Sequence, residues 1–230
     1  MRHSEFHRSH HIGWLRAAVL GANDGIISTS SLIIGIASAH ATHQNILLTG
    51  MAGLVSGAMA MAAGEYVSVS SQADTEAADL AREREELATQ PEHELEELTG
   101  IYVKRGLSHG LAKQVAVELT AKDALGTHAR DELGIIDAMN ARPVQASVAS
   151  ACTFAVGAAL PLLIAFFATE TTIVPLVAAT SLLFLAILGG LASKVGGANI
   201  WAGTARVAFW GALAMAATAG VGSLFGVAVA

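Results

Sequence analysis

Five apolar runs, each long enough to cross a bilayer, leave this chain few folds to choose from. They lie at about residues 13–38, 46–70, 144–168, 173–192 and 207–229, and a spanning helix needs about 20 mostly apolar residues. In hydrocarbon every backbone N–H and C=O must be bonded within the chain, so runs of this kind become helices. Charge is displaced accordingly: fifteen of the nineteen acidic residues fall within 72–142. Only 14% of the chain is charged, against about one-quarter of an ordinary soluble domain. The expectation is an all-α integral membrane protein of five transmembrane helices, with a helical insert between spans 2 and 3. Residues 1–71 form the N-terminal tail and spans 1 and 2, residues 72–142 the insert, and residues 143–230 spans 3 to 5.

Several classes are disfavoured by composition. The net charge of −6 comes from the insert and argues against a nucleic-acid partner. There is no phosphate-binding P-loop, so ATP-driven pumping within this chain is not expected. The first apolar run exceeds the ~7–15 residues of a signal-peptide core and carries Asp24 in its middle, so it reads as a span. The single cysteine, Cys152, excludes an intrachain disulfide and reads as a small buried apolar residue. Residues 1–11 hold His3, His7, His10 and His11; a disordered tail is expected, with a metal-binding tail as the alternative.

The basic residues set an expected topology. Arg2, Arg8 and Arg16 lie before or at the very start of the first span, Arg82 to Arg142 lie in the insert, and Lys194 and Arg206 lie between the last two spans. All thirteen Lys and Arg thus fall on one side of a five-span arrangement, while residues 39–45, 169–172 and the C-terminus have none. The positive-inside rule places the N-terminus and insert in the cytoplasm and the C-terminus outside, in a cell membrane.

Polar groups at depth carry the chemistry. Asp24 on the first span, with Met61 and Glu65 one turn apart on the second, are the strong ligand candidates within the spans. Gly21 with Gly25, and Gly53 with Gly57, are small-residue pairs that permit close helix approach. From Met61 a stripe continues through Glu65, Gln72, Glu76, Asp79, Glu83 and Glu86 at helical spacing. A line of soft and carboxylate ligands passing from apolar to polar sequence suggests a cation path. Buried carboxylates hold protons more tightly, so proton exchange for a cation is physically accessible.

The insert reads as helical throughout. The second span continues to about Leu87; Thr89, Pro91 and Glu92 suggest a capping box. A helix over 90–105 ends at Gly106, Ser108 starts another to about Lys122, and a shorter one spans 124–139. Glu83 with Glu86, Glu94 with Glu97, and His128 with Glu132 are pairs at helical spacing, able to present two ligands to one ion. Oxygen ligands with some nitrogen suit Fe²⁺, Mn²⁺ or Zn²⁺ better than Cu⁺. The same acids also fit a solvated helix face, and spacing alone does not separate the two.

The segments WLRAAVLGANDGIISTSSLIIG at 14–35 and GLVSGAMAMAAGEYVSVSSQ at 53–72, followed by the acidic insert and three further spans, resemble the vacuolar iron transporter family, which includes nodulin-21-like and manganese-transporting members. The chain is similar to a bacterial-type member. The resemblance implies a homodimer with five spans per subunit and a cytoplasmic metal-binding insert. It implies transport of Fe²⁺, and often other divalent metals, out of the cytosol in exchange for protons. It places Asp24 and Met61 in the translocation path with Glu65 near its cytoplasmic mouth, and Glu83, Glu86, Glu94, Glu97 and Glu132 at metal. Where relatives carry a Met pair before that last glutamate, this chain has His128 and Ala129, which implies a harder, more nitrogen-rich site. No enzyme activity is expected. A membrane-anchored metal store or sensor is the alternative to a transporter, and a ferroxidase built on the glutamate pairs is a third reading.

Overall fold

A computed structural model describes residues 9–135 and 142–229, with side-chain surroundings for residues 18–135 and 142–226. Among them the chain forms seven helices: α1 (Ser9–Ser38), α2 (His43–Thr89), α3 (Pro91–Lys104), α4 (His109–Asp131), α5 (Pro143–Phe167), α6 (Ile173–Val195) and α7 (Ile200–Val229). Five of these, α1, α2, α5, α6 and α7, are long and apolar enough to span a membrane. His3 and His7 lie outside the described residues, as do the side chains of His10 and His11. The chain divides into two compact units, residues 1–65 with 144–230, and residues 66–143.

In the first unit α1 packs against α6 and α7. Its core gathers Ile33 and Ile34 of α1, Ile46 of α2, Ala165 of α5, Ile173 and Val177 of α6, and Met215 of α7. The contact with α5 is made by glycines. A side chain at Gly25 would run into the Phe154 carbonyl, and one at Gly157 into the Ala22 carbonyl. Gly21 faces the Thr153 hydroxyl and Gly57 of α2 faces the Phe154 ring. The Gly21–Gly25 pair therefore sits where two helices approach closely, which membrane helices use because lipid offers no hydrophobic drive for their association; of the second pair Gly57 makes room for a ring, while Gly53 meets only the Leu32 side chain at 3.5 Å. Large side chains such as Leu48, Met51, Val55, Phe167 and Phe225 remain exposed on the outer faces, suited to acyl chains.

Turn chemistry shifts one boundary. The fifth span was expected to begin near Val207, yet α7 begins at Ile200. The side-chain oxygen of Asn199 accepts from the backbone N–H of Trp201 at 2.9 Å and of Ala202 at 3.3 Å, capping the new helix. Arg206, expected in a loop, thus lies inside α7. Cys152 is exposed rather than buried. The buried face of α5 runs through Ser150, Phe154, Gly157, Ala158, Pro161 and Ala165, and position 152 falls off that face.

In the second unit, Leu98 and Tyr102 of α3 meet Ala112 and Ala116 of α4 in a small apolar core. Gly106 closes α3 with φ +102°. The expected capping box does not form: Gln90 is the N-cap of α3, and the Thr89 hydroxyl donates backwards to the Glu85 carbonyl at 2.8 Å. Ser108 stands at the N-cap of α4 without a side-chain cap bond. The helix breaks at Asp123 (φ −163°, ψ 87°) and ends at Asp131, short of the expected Met139; residues 136–141 lie outside the described residues.

Replacing Gly25 by Val should cost more than about 2 kcal/mol, the scale of overpacking against atoms that cannot yield, whereas Gly64→Ala, with nothing within 4 Å of the new Cβ, should leave stability unchanged or raised. Thermal unfolding in detergent checks both.

Candidate metal centre and membrane cleft

The insert brings four sequence-predicted ligands to one point. Glu83 comes from the last turns of α2, Glu94 from the first turn of α3, and His128 and Glu132 from the end of α4. One ligand atom from each lies within 4.8 Å of the others. His128 is fully buried, Glu83 is 2% and Glu94 4% exposed, while the Glu132 side chain is 24% exposed. Acids so enclosed are not a solvated helix face.

Their hydrogen bonding is incomplete in an informative way. His128 Nδ1 lies 2.9 Å from Glu83 Oε1 and 2.8 Å from Glu132 Oε2, with Glu94 Oε2 at 3.8 Å. One ring N–H serves one acceptor well, and here it is aligned with Glu132. Glu83 Oε1 and His128 Nε2 are left buried without a hydrogen-bond partner. Three carboxylates around one imidazole hold surplus negative charge and surplus acceptors. Burial first and then the charge of Glu132 push the Glu83 carboxyl up to about 7, with His128 opposing and the charges of Glu94 and Glu86 adding less. A proton or a divalent cation supplies what the cluster lacks. Three oxygens and an imidazole nitrogen suit Fe²⁺, Mn²⁺ or Zn²⁺.

Local sequence explains the geometry. Asp123 leaves helical conformation and its carboxylate accepts from the Gly126 N–H at 3.0 Å, starting a fresh segment that carries His128. Asp131 then fixes the end of that segment. Its carboxylate accepts from the Tyr102 hydroxyl at 2.8 Å, Arg105 Nη1 at 2.7 Å and Arg130 Nη2 at 3.1 Å, and Arg105 Nη2 also holds its main-chain carbonyl at 3.0 Å. These donors hold the Asp131 carboxyl well below the usual range despite its partial burial. Tyr102, Arg105 and Asp131 escaped the sequence reading because 26 residues separate the arginine from its acid; the visible signal was Asp131 beside Glu132.

The other predicted ligands fall elsewhere. Glu97 joins His93 and Glu94 in a second group, with His93 Nδ1 3.6 Å from Glu94 Oε1. His93 was missed, although its neighbours were not. Glu86 belongs to neither group, although its charge acts on Glu83. Gln72 donates to Glu76 at 2.8 Å and Asp79 lies 3.9 Å from Arg82, so this part of the stripe pairs along its own helix.

Within the membrane unit, Asp24 and Met61 line one cleft of about 430 Å³, together with Leu20, Asn23 and Ile27 of α1 and Arg206, Val207 and Trp210 of α7. Glu65, one turn beyond Met61 on α2, is not part of its lining.

An all-helical chain with five candidate spans and a buried carboxylate–histidine cluster in its insert has the makings of a multi-pass membrane protein that handles metal ions. Comparison with known proteins gives the family: residues 15–223 match the VIT family model, and the chain belongs to that family. It is 46% identical over 213 residues to a vacuolar iron transporter of Acanthamoeba castellanii, covering 92% of this chain and 78% of the relative. It is 39% identical to vacuolar iron transporter homolog 1 of Oryza sativa subsp. japonica over 93% of this chain and 74% of the relative. It is 37% identical to homolog 4 of Arabidopsis thaliana over 93% and 84%. The family is one of transporters rather than enzymes, which sets the ferroxidase reading aside.

Two outcomes follow for the insert. Because Glu83 titrates near 7 and its ordinary value is 4.5, ionising it costs the folded state, and the metal-free protein should lose stability as pH rises from about 4.5 through 7. Added Mn²⁺ should restore that stability, and Mn²⁺ affinity should fall roughly tenfold between pH 7.5 and 6 as protons compete for the carboxylate; calorimetric titration at the two pH values reads this. Tyr102→Phe should cost about 1 kcal/mol of stability and weaken Mn²⁺ binding several-fold by loosening the segment that carries His128 and Glu132.

Proposed function

We propose that this chain carries Fe²⁺, with Mn²⁺ as a second cargo, out of the cytosol in exchange for protons. It would act as a homodimer in the cytoplasmic membrane, with its N-terminus and insert in the cytoplasm and its C-terminus outside. The observation that carries the reading is the buried Glu83–Glu94–His128–Glu132 cluster, short of positive charge, in a chain of the VIT family. The relatives' names supply iron as the cargo class. The distribution of Lys and Arg supports the topology.

In this reading the insert collects the cation, with Glu86, Glu97 and His93 as auxiliary ligands around the central four, three of them buried. Asp24 and Met61 then hold it in the membrane cleft. A carboxylate and a thioether make a modest, borderline-soft pair, strong enough to replace part of the hydration shell and weak enough to release. Glu65 would serve at the cytoplasmic mouth, and the carboxylates would take up protons as the metal leaves.

One observation favours a second reading, a membrane-anchored metal store or sensor: the insert cluster is complete within residues 66–143. A store, however, has no need of Asp24 beside Met61 in a membrane cleft.

Anaerobic proteoliposomes loaded with an opposing pH gradient should accumulate Fe²⁺, and dissipating the gradient should slow the flux. Equal flux with and without the gradient rejects antiport. Asp24→Ala should abolish flux while leaving metal binding by the insert intact; full flux in that variant removes Asp24 from the path, and binding without flux in the parent protein establishes the store.

A further inference from the structure

Arg206 is the unexpected member of the membrane cleft. By sequence it marked a basic loop; in the structure the Asn199 cap starts α7 early and carries Arg206 into the helix. It lies within the apolar stretch Ile200–Gly226. A guanidinium stays charged at any accessible pH, and a charge within a span is costly unless it faces water or is compensated.

The cleft offers that compensation. Among its lining residues Asp24 and Arg206 are the two with formal charge, and they are of opposite sign. Among the described residues neither the Asp24 carboxylate nor the Arg206 guanidinium has an ion-pair partner. Asn23, on the same wall, has a buried side-chain oxygen without a hydrogen-bond partner. The cleft therefore contains acceptors without donors and, opposite them, a five-donor fork without acceptors. The Arg206 side chain is exposed and lines this cleft from α7.

We infer that Arg206 is a tethered counter-cation for Asp24: it balances the carboxylate when no metal is in the cleft and yields to the metal when one arrives. This rests on the reading of Asp24 as a path residue. Metal and guanidinium compete for one carboxylate. With the metal bound, the displaced arginine leaves an extra positive charge in a confined cleft, which weakens the hold on the cation and favours its release. With the metal gone, the guanidinium's charge remains in the cleft to offset that of the carboxylate across the space the metal leaves. The device lowers affinity and raises turnover. A lysine supplies the same unit charge, whereas a neutral residue does not.

The test combines flux with a charge-coupling cycle on the full chain. In anaerobic proteoliposomes, Arg206→Gln should lower the apparent KM for Fe²⁺ at least about fivefold, as expected for removing one like charge from beside the bound cation, and should lower the rate at saturating Fe²⁺. Arg206→Lys should stay within about twofold of the parent on both counts. In detergent without metal, Asp24→Asn and Arg206→Gln should each lower the melting temperature by about 4 °C, and the double variant by less than either single change. Recovery of folding in the double variant supports the pairing even where Arg206→Gln alone folds poorly. Additive melting shifts, or a KM in Arg206→Gln within twofold of the parent, overturn the assignment and leave Arg206 a membrane-surface anchor. If Asp24→Asn loses transport in that case, the path reading survives without it; if Asp24→Asn transports at the parental rate, the path reading falls and the assignment falls with it.

Discussion

The close approach of α1 to α5 is the contact on which the membrane unit turns. Gly25 lies against the Phe154 carbonyl and Gly157 against the Ala22 carbonyl, so each helix presents backbone to the other. Such reciprocal contact fixes the rotation of α1 about its own axis. With Gly21, Ala22 and Gly25 committed to α5, the positions left on another face are Leu20, Asn23, Asp24 and Ile27, spaced at i, i+3, i+4 and i+7. These four form the α1 wall of the cleft. A carboxylate is thereby aimed at open space and not into a helix interface. The two glycines flanking Asp24 are thus part of how that carboxylate is placed, even though they touch no ligand.

In the insert the governing constraint is arithmetic rather than steric. Two carboxylate oxygens lie within 3 Å of a single imidazole nitrogen, at 2.9 and 2.8 Å, and one proton on that nitrogen cannot satisfy both. The surrounding scaffold commits strong interactions to keeping this arrangement in place: Asp123 restarts the helix before His128, and Asp131 receives three side-chain donors immediately before Glu132. A cluster short of positive charge, held by a network that is well satisfied, has the pre-organisation that the proposed metal binding requires.

Much of this was legible in the sequence. Helical spacing pairs Glu83 with Glu86, Glu94 with Glu97 and His128 with Glu132, and the apolar runs give five spans with small errors at their ends. Spacing along one helix cannot say which pair member points inward, however, and that is where the reading ran out. Glu83 and Glu94 enter the buried group, while Glu86 and Glu97 do not. The capping box failed because Thr89 bonds its own helix, a local competition that sequence does not decide. The Asp131 network and the arrival of Arg206 beside Asp24 depend on contacts between distant helices, and neither leaves a periodic trace. His93 lies between Glu92 and Glu94, inside an acidic run where spacing alone does not single it out from its neighbours.

Cys152, the one thiol in 230 residues, lies exposed on α5 away from its buried face. That makes the native chain a single-site labelling target that needs no engineering. A thiol surrounded by acyl chains is protonated and shielded from water-soluble alkylating reagents, one at a wet surface reacts, and one covered by a second copy of the chain is protected in a concentration-dependent way. The rate at which this residue is modified therefore reports what lies against the outer face of α5 in a native bilayer.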